Sequence, residues 1–204
     1  IGCLERHLPF WERNISVAFL SHPHLDKFAG LNYVMKRYNL ISFATEDLNN
    51  KSTSFKGLTE EIKNRKVKTD YILRGDTFKL KDGTRFSVLG PTTDFINKTS
   101  PNGQIGESKE FASLIILVSY GSFTSIFTGD SQALGLSQAI SDSSVQDTKI
   151  LEVPHHGSKT GLNSEILDKL KPSYAIISVG KNNKYGHPAA ITLDFLNKFN
   201  IKTL

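Results

Sequence analysis

The chain has 204 residues, of which 38% are hydrophobic and 22% charged, and a formal net charge of +5, as is typical of a folded globular protein. Its single cysteine, Cys3, excludes an internal disulfide framework and a cysteine-rich zinc site. No apolar run approaches the roughly 18–20 residues of a membrane-spanning helix, and no signal peptide is visible.

The first half of the chain predicts alternating strands and helices. Apolar residues 15–20 form a buried strand, and a polar loop over 21–30 leads into a helix over 31–38. A loop after the carboxyl end of a strand is where α/β proteins place chemistry, because it opens into a crevice. Also predicted are a first helix stopped at Pro9, a strand over 40–44, a polar loop over 45–52 and a helix over 54–66.

The second half predicts two β-hairpins and then further alternation of strands and helices. Asp82-Gly83 is a strong signal for the first hairpin, because glycine tolerates the positive φ of a tight turn. This order indicates an α/β layered protein with a mixed sheet. The predicted elements are strands over 71–73, 77–80, 85–89, 113–120, 123–128, 149–153, 174–179 and 201–204, helices over 131–141, 163–170 and 190–199, and polar loops over 92–109 and 142–148.

The two ends of the chain indicate a piece of a longer protein. The sequence begins at Ile1, its only methionine is Met35, and it stops at Leu204 within a predicted strand. We therefore expect a single domain over residues 1–204, with sequence missing before and after it.

Histidines and aspartates cluster where predicted strands end. A shared sheet would bring these ends together, and imidazole nitrogen and carboxylate oxygen suit zinc, manganese or iron. Two ions bridged by an aspartate can activate water for phosphoester cleavage. Each residue also has a structural interpretation, as a surface hydrogen-bonding group, a turn residue or, after Gly129, a helix cap. The junction residues are His22, His24, Asp26, Asp130, His155, His156 and His187.

Basic residues are concentrated between Lys51 and Arg74, where seven of them accompany only three acidic residues. A solvated helix face is one interpretation. A phosphate-contacting surface is the other, since nucleic-acid binding depends on such local positive charge.

Five stretches of the sequence, taken in order, resemble one known family. They are residues 8–13, 21–26, 127–130, 153–158 and 176–188. Together they are similar to the metallo-beta-lactamase superfamily, and in particular to the hydrolase-like domain of ComEC-type competence proteins, which take up DNA. The resemblance implies a four-layered αββα sandwich of two mixed sheets, with metals at one edge between them. The opening strands of the family and its C-terminal end are missing from this chain.

The resemblance also implies a site for one or two divalent ions, zinc or manganese. Asp130 would bridge the ions, while Asp26 and the pair His155-His156 would take part in catalysis. The implied metal ligands are His22, His24, Asp26, Asp130 and His187.

Two departures from the family pattern bear on activity. The superfamily motif is HxHxDH, and Lys27 stands where its last histidine is expected. A lysine is protonated near neutral pH and has no lone pair to give to a metal. The superfamily also often has a ligand histidine before the strand pair that leads to Asp130, and this chain has none.

The leading hypothesis is a metal-dependent hydrolase that cleaves phosphodiesters, with single-stranded DNA or another nucleic acid as substrate, by metal-activated water. It would be the extramembrane part of a ComEC-like DNA-uptake protein of the bacterial inner membrane. Lys159, Lys181 and Lys184 lie on the site loops and would add phosphate contacts. One alternative is a metal-poor, non-catalytic domain that binds anions or nucleic acid through Lys27. Another is a stand-alone hydrolase of small esters or nucleotides, without a membrane portion.

Overall fold

The computed structural model describes residues 2–105, 112–141, 145 and 147–204, in which strands and helices alternate as the periodicity predicts. The helices are α1 (Gly2–His7), α2 (Leu25–Arg37), α3 (Thr53–Asn64), α4 (Thr93–Thr99), α5 (Ala133–Ser141), α6 (Ser164–Leu170) and α7 (Ala190–Lys198). The strands are β1 (Asn14–Leu20), β2 (Asn39–Thr45), β3 (Lys68–Tyr71), β4 (Thr77–Lys79), β5 (Arg85–Gly90), β6 (Ile115–Tyr120), β7 (Phe123–Phe127), β8 (Ile150–Glu152), β9 (Tyr174–Ile176) and β10 (Lys202–Thr203).

The strands form two sheets. A small sheet contains β1, β2 and β3 in that order, and all its pairings are parallel. A large sheet contains seven strands in the order β10-β9-β8-β7-β6-β5-β4. From β4 to β7 it is antiparallel and includes both predicted hairpins, whereas from β7 to β10 it is parallel. The prediction of a mixed sheet is therefore confirmed for the large sheet. The resemblance implies that both sheets are mixed, but in the described residues the small sheet is parallel, because a helix that crosses back over the sheet connects each of its strands to the next.

Hydrophobic side chains between the elements produce four layers. Phe28 of α2 and Leu58 of α3 pack against the outer face of the small sheet. Between the sheets, Ala44 of β2 meets Val88 and Ile116 of the large sheet. Helices α5, α6 and α7 cover the far face of the large sheet. This αββα arrangement confirms the predicted fold class.

The first turn of α2 corrects a predicted boundary. The loop predicted over 21–30 ends at His24, whose carbonyl accepts hydrogen bonds from the N–H groups three and four residues on, at 3.0 and 3.2 Å. Phe28 is buried against α3, so tertiary packing stabilises a turn that the apolar period does not mark. Asp26 and Lys27 therefore lie on a helix, which restricts the directions of their side chains.

Residues 92–109 do not form the continuous surface loop that their polar composition predicts. Thr92 caps helix α4 by accepting a hydrogen bond from the backbone N–H of Phe95 at 3.1 Å, and Phe95 packs into a small hydrophobic cluster. Parts of the two predicted polar loops lie outside the described residues, namely 106–109, 142–144 and 146.

Two predicted strands differ from the observed ones by more than two residues at one end. Strand β3 ends at Tyr71 and does not extend over 71–73, because its partner β2 ends opposite Tyr71. Strand β9 stops at Ile176 and not at residue 179, because β8 beside it ends before Pro154, which has no N–H to pair. None of the helices in the described ranges combines the length and apolar character that crossing a bilayer requires.

Candidate metal centre

The candidate site lies where strands of both sheets end, at one edge of the cleft between them. The parallel strands β7, β8 and β9 end on the same side of the large sheet, facing the turn that follows β1. Two adjoining cavities, of about 510 and 360 Å³, share Asp26, Asp130 and His156 in their walls. The junction residues at this edge are His22, His24, Asp26, Asp130, His155, His156 and His187.

His22, His24 and Asp130 form one compact group. His22 is fully buried, and its Nε2 lies 3.0 Å from Nδ1 of His24 and 3.5 Å from Oδ2 of Asp130. Its Nδ1 faces the hydroxyls of Ser21 at 3.1 Å and Ser113 at 3.4 Å, which hold the ring from behind. One ligand atom from each residue of the group lies within 4.8 Å of the others. Ligand atoms of tetrahedral zinc are about 3.4 Å apart, so the group fits a metal ion.

Asp26, Asp130 and His156 form a second group, whose ligand atoms also lie within 4.8 Å of one another. Nζ of Lys27 contacts all of them, at 2.7 Å from Oδ1 of Asp130, 2.8 Å from Nε2 of His156 and 3.1 Å from Oδ2 of Asp26. Apart from this ion pair, Oδ1 of Asp130 has no hydrogen bond within the described part of the chain. The carboxylate of Asp130 thus faces the histidine pair with one oxygen and Lys27 with the other.

The turn after β8 presents two histidines on a strained backbone. In this 3-10 turn, Pro154–Gly157, His155 has a φ of 50° and His156 a φ of 57°. Such left-handed residues each cost about 1–3 kcal/mol and are concentrated at functional sites. Nδ1 of His156 donates to the carbonyl of Ser178 at 2.7 Å, which leaves Nε2 as the acceptor that faces the second group. Nδ1 of His155 accepts from the amide of Gln132 at 2.6 Å.

His187 lies in the same cleft but belongs to neither three-residue group. Its ring lies 5.8 Å from that of His155 and 6.0 Å from that of Tyr185. Asn183 shapes the loop, because its amide donates to the carbonyls of Gly180 and His187 and accepts from two backbone N–H groups. Nδ1 of His187 is buried and, among the described residues, has no hydrogen-bond partner. A bound ligand or a water molecule would supply a hydrogen-bond partner for this nitrogen.

Electrostatic interactions keep both carboxylates of the site ionised. Burial alone would raise the pKa of Asp130, but its hydrogen bond with His22 and the ammonium of Lys27 hold that pKa well below the usual range. Burial also opposes ionisation of Asp26, yet the charge of Lys27 lowers the pKa of that carboxyl. Burial lowers the pKa of His24 and so favours its neutral form, whose lone pair can bind a metal.

Two residues that the sequence patterns do not single out, Ser113 and Glu152, support the site together with Gly129. The hydroxyl of Ser113 accepts from the backbone N–H of Asp130 at 3.2 Å. The carboxylate of Glu152 accepts from the N–H groups of Gly129 and the residue before it, at 3.2 and 2.9 Å. Gly129 has a φ of 53°, and a Cβ there would clash with the Ser113 hydroxyl. The glycine of the 127–130 stretch signals the turn, but no local pattern marks Ser113 or Glu152.

No family model matches the chain, but two curated relatives do. ComE operon protein 3 of Bacillus subtilis is 32% identical over 158 residues, which are 73% of this chain and 19% of the relative. Recombination protein 2 of Haemophilus influenzae is 24% identical over 195 residues, which are 94% of this chain and 21% of the relative. The chain therefore spans about a fifth of the length of these relatives.

Solved structures with similar folds have low sequence identity. CmlA, a diiron beta-hydroxylase from Streptomyces venezuelae, has a TM-score of 0.63 at 12% identity, covering 97% of this chain and 44% of that one. YhfI from Bacillus subtilis, a metallo-beta-lactamase fold protein, has a TM-score of 0.52 at 9% identity, covering 93% and 73%. The chain has the metallo-beta-lactamase fold and, as its motifs predict, resembles the ComEC-type competence proteins.

Proposed function

We propose that this chain is a metal-dependent hydrolase that cleaves phosphodiesters, with nucleic acid as its substrate. The observation that carries the proposal is the convergence of His22, His24 and Asp130, whose ligand atoms lie within 4.8 Å of one another. Imidazole and carboxylate ligands suit zinc and manganese. CmlA, which shares the fold, is a diiron enzyme, and this agrees with metal binding by the present chain.

The charge of the site favours a cation over an anion. Asp26 and Asp130 are ionised and Lys27 carries one positive charge, so the three groups together have one net negative charge. The ammonium already contacts three acceptor atoms, and binding a phosphate would require it to release one of them. These contacts favour a metal centre over the alternative of an anion-binding site built on Lys27.

The chain's own residues would assist the chemistry that a metal supplies. When bound, a divalent ion polarises a phosphoryl oxygen and lowers the pKa of a water molecule. The carboxylate of Asp26 is about half exposed to the cleft, where it can accept a proton from water. His155 and His156 line the same cleft and can bind a phosphate oxygen or transfer a proton to the leaving oxygen.

The rim of the cleft suits a single-stranded nucleic acid. Tyr185 is 82% exposed, and its ring is stacked on that of His187 with 21° between the planes. Lys181 and Lys184 lie exposed on the same loop, and Lys159 lies exposed after the histidine turn. An exposed aromatic ring flanked by basic side chains can stack on a base while the lysines contact phosphates.

The basic stretch between Lys51 and Arg74 contributes little to this proposal. None of its residues, all of which are described, lines either cavity. Arg65 pairs with Glu61 at 2.6 Å, and Lys68 pairs with Asp70 at 2.8 Å. These ion pairs favour the interpretation as a solvated face over that of a second phosphate-binding surface.

A place in DNA uptake is part of the proposal. The ComEC-type relatives imply a DNA-related role, and the chain corresponds to about a fifth of their length. We therefore place it as the extramembrane part of an inner-membrane DNA-uptake protein, where it would cleave single-stranded DNA.

The test is cleavage of an end-labelled single-stranded oligonucleotide with added Mn²⁺ or Zn²⁺. We expect the wild-type chain to cleave it, EDTA to stop cleavage, and Asp130→Asn to lower the rate by about 100-fold or more. Asp168→Asn, at an exposed carboxylate on α6, is the matched control and should retain full activity.

Equal cleavage by the wild-type chain and Asp130→Asn would contradict the proposal, because the activity would then not belong to this site. Bis-p-nitrophenyl phosphate, assayed in parallel, distinguishes the alternative of a stand-alone small-molecule hydrolase. Turnover of that compound with no cleavage of the oligonucleotide would favour the alternative.

A further inference from the structure

We infer that the ammonium group of Lys27 takes the place of a second metal ion, so that the centre binds one divalent ion and not two. The inference rests on the proposed metal centre and specifies its stoichiometry. It concerns the second group of potential ligands, Asp26, Asp130 and His156, and assigns the single ion to the group of His22, His24 and Asp130.

The position of Nζ is the first observation. It lies 2.7, 2.8 and 3.1 Å from Oδ1 of Asp130, Nε2 of His156 and Oδ2 of Asp26. The ammonium is hydrogen-bonded to His156 and forms ion pairs with both carboxylates. The atoms that could coordinate an ion at this position therefore already surround one positive charge.

The orientation of His156 is the second observation. Its Nδ1 donates to the carbonyl of Ser178 at 2.7 Å, so Nε2 carries the lone pair and faces the ammonium of Lys27 at 2.8 Å, with Oδ2 of Asp26 farther away at 3.3 Å. A carbonyl behind the imidazole and a cation in front of it is the arrangement typical of metal-binding histidines. Here the cation in front is a lysine side chain.

The restraint on Lys27 is the third observation. Its backbone N–H donates to the carbonyl of His24 at 3.0 Å in the first turn of α2, and its side chain is only 17% exposed. A divalent ion among the same acceptors would lie within a few ångströms of the ammonium, where like charges repel strongly. The ion would therefore have to displace a side chain that three acceptors hold in place.

The two oxygens of Asp130 explain how one ion and one ammonium can share the centre. Oδ2 lies 3.5 Å from Nε2 of His22, on the side of the histidine pair, while Oδ1 lies 2.7 Å from Nζ of Lys27. In two-ion hydrolases, the second ion helps to stabilise the charge that develops during phosphoester cleavage. In this chain, the ammonium would provide that second charge, and a chelator could not remove it.

Metal stoichiometry tests the inference without relying on activity. The wild-type chain, Lys27→Met and the control Lys36→Met are dialysed against Mn²⁺, and bound manganese is measured by mass spectrometry. We expect one ion per chain in the wild type and in Lys36→Met, which alters an exposed lysine on the same helix. We expect two ions in Lys27→Met, and an electron paramagnetic resonance signal of two coupled Mn²⁺ ions in that variant alone.

A second variant guards against a folding defect. Lys27→His adds a lone pair at the same position and should also gain one ion, while circular dichroism confirms that each variant is folded. Two ions in the wild type, or one ion in both folded Lys27 variants, would overturn the inference and leave the proposed metal centre standing. Absence of manganese from every variant would overturn the metal centre itself, and the inference with it.

Discussion

The two sheets contribute to the candidate metal centre in different ways. The small sheet supplies its side chains from one stretch, residues 22–27, which contains no positive φ. The large sheet supplies its side chains from the ends of three strands, on turns with positive φ at Gly129, His155, His156 and Gly157. One half of the centre is thus an ordinary helix start, and the other half consists of strained, closely packed turns.

The side chains therefore determine the properties of the small-sheet half of the centre, whereas the backbone conformation determines those of the large-sheet half. At Lys27, a change of side chain alters the group that faces Asp130 while the helix turn remains as it is. At Gly129, even one added carbon would collide with the hydroxyl of Ser113. We therefore expect substitutions at the packed turns of the large sheet, Gly129 and residues 155–157, to damage the fold and the centre together. Substitution of Asp26 or Lys27, on the small-sheet side, should change the centre alone.

Gly129→Ala should have the largest effect. The added Cβ would displace the hydroxyl of Ser113, which holds the backbone N–H of Asp130 at 3.2 Å and faces His22. We expect the free energy of unfolding to fall by about 3 kcal/mol, from overpacking and left-handed strain together. As Asp130 moves, Mn²⁺ affinity should fall by about 10- to 100-fold. Urea denaturation and titration calorimetry measure the two effects.

Gly121→Ala is the matched control for this prediction. Gly121 has a φ of 56°, close to that of Gly129, but no atom lies within 4 Å of an added Cβ. It should lose only about 1 kcal/mol, from the backbone alone, and keep its metal affinity. If the two variants lost the same stability, the close approach to Ser113 would be unimportant and the contrast between the two sides would fail.

The sequence predicts most of the fold because its signals are local. Apolar periodicity marks β1, β2 and α3, and the Asp82-Gly83 turn marks the first hairpin. The start of α2 and the end of β9 escape such signals, because burial of Phe28 and the length of a neighbouring strand determine them. Thr92 caps helix α4 in a stretch that its polar composition indicates to be a loop.

The sequence patterns indicate which histidines and aspartates lie near the candidate metal centre, but not which side chains contact one another there. Strand ends bring the histidines and aspartates to one edge, and this follows from α/β architecture. The contact between Lys27 and His156 joins residues 129 positions apart, so no local pattern could reveal it. The same is true of Ser113, which lies 91 positions from His22 in the sequence.

Glu46→Gln tests a buried carboxyl on the small-sheet side that lies outside residues 22–27 of the metal centre. Glu46 follows β2 and is fully buried, and neither carboxylate oxygen has a hydrogen bond within the described ranges. Burial raises its pKa well above the ordinary value. The folded chain therefore holds a proton that the unfolded chain releases, so stability that is present at low pH is lost as the pH rises toward the folded-state pKa.

Removing this ionisable group should stabilise the chain only at pH values where the unfolded chain would ionise the carboxyl. We expect Glu46→Gln to raise the free energy of unfolding by about 1–3 kcal/mol near pH 8 and to leave it nearly unchanged near pH 4. Glu60→Gln, at an exposed position on α3, should change stability by less than about 0.5 kcal/mol at both pH values. Urea denaturation with EDTA present measures this, and equal gains at the two pH values would contradict the buried-carboxyl explanation.

Tyr185→Ala should have the smallest effect on stability. It tests a position on the large-sheet side whose side chain is not packed into the fold. Although Tyr185 follows β9, its ring is 82% exposed, so its loss should leave the free energy of unfolding within about 0.5 kcal/mol of the wild type. Affinity for a labelled single-stranded oligonucleotide should fall by about tenfold, because one stacked base contributes about 1–3 kcal/mol. Fluorescence anisotropy compares this variant with Tyr120→Ala, which removes a tyrosine 57% exposed at the β6–β7 hairpin, away from the cleft.

An oligonucleotide without bases should bind the wild type and Tyr185→Ala equally, since the phosphate contacts of the lysines remain in both. A tenfold loss for that oligonucleotide as well would assign Tyr185 to the shape of the loop and not to base stacking.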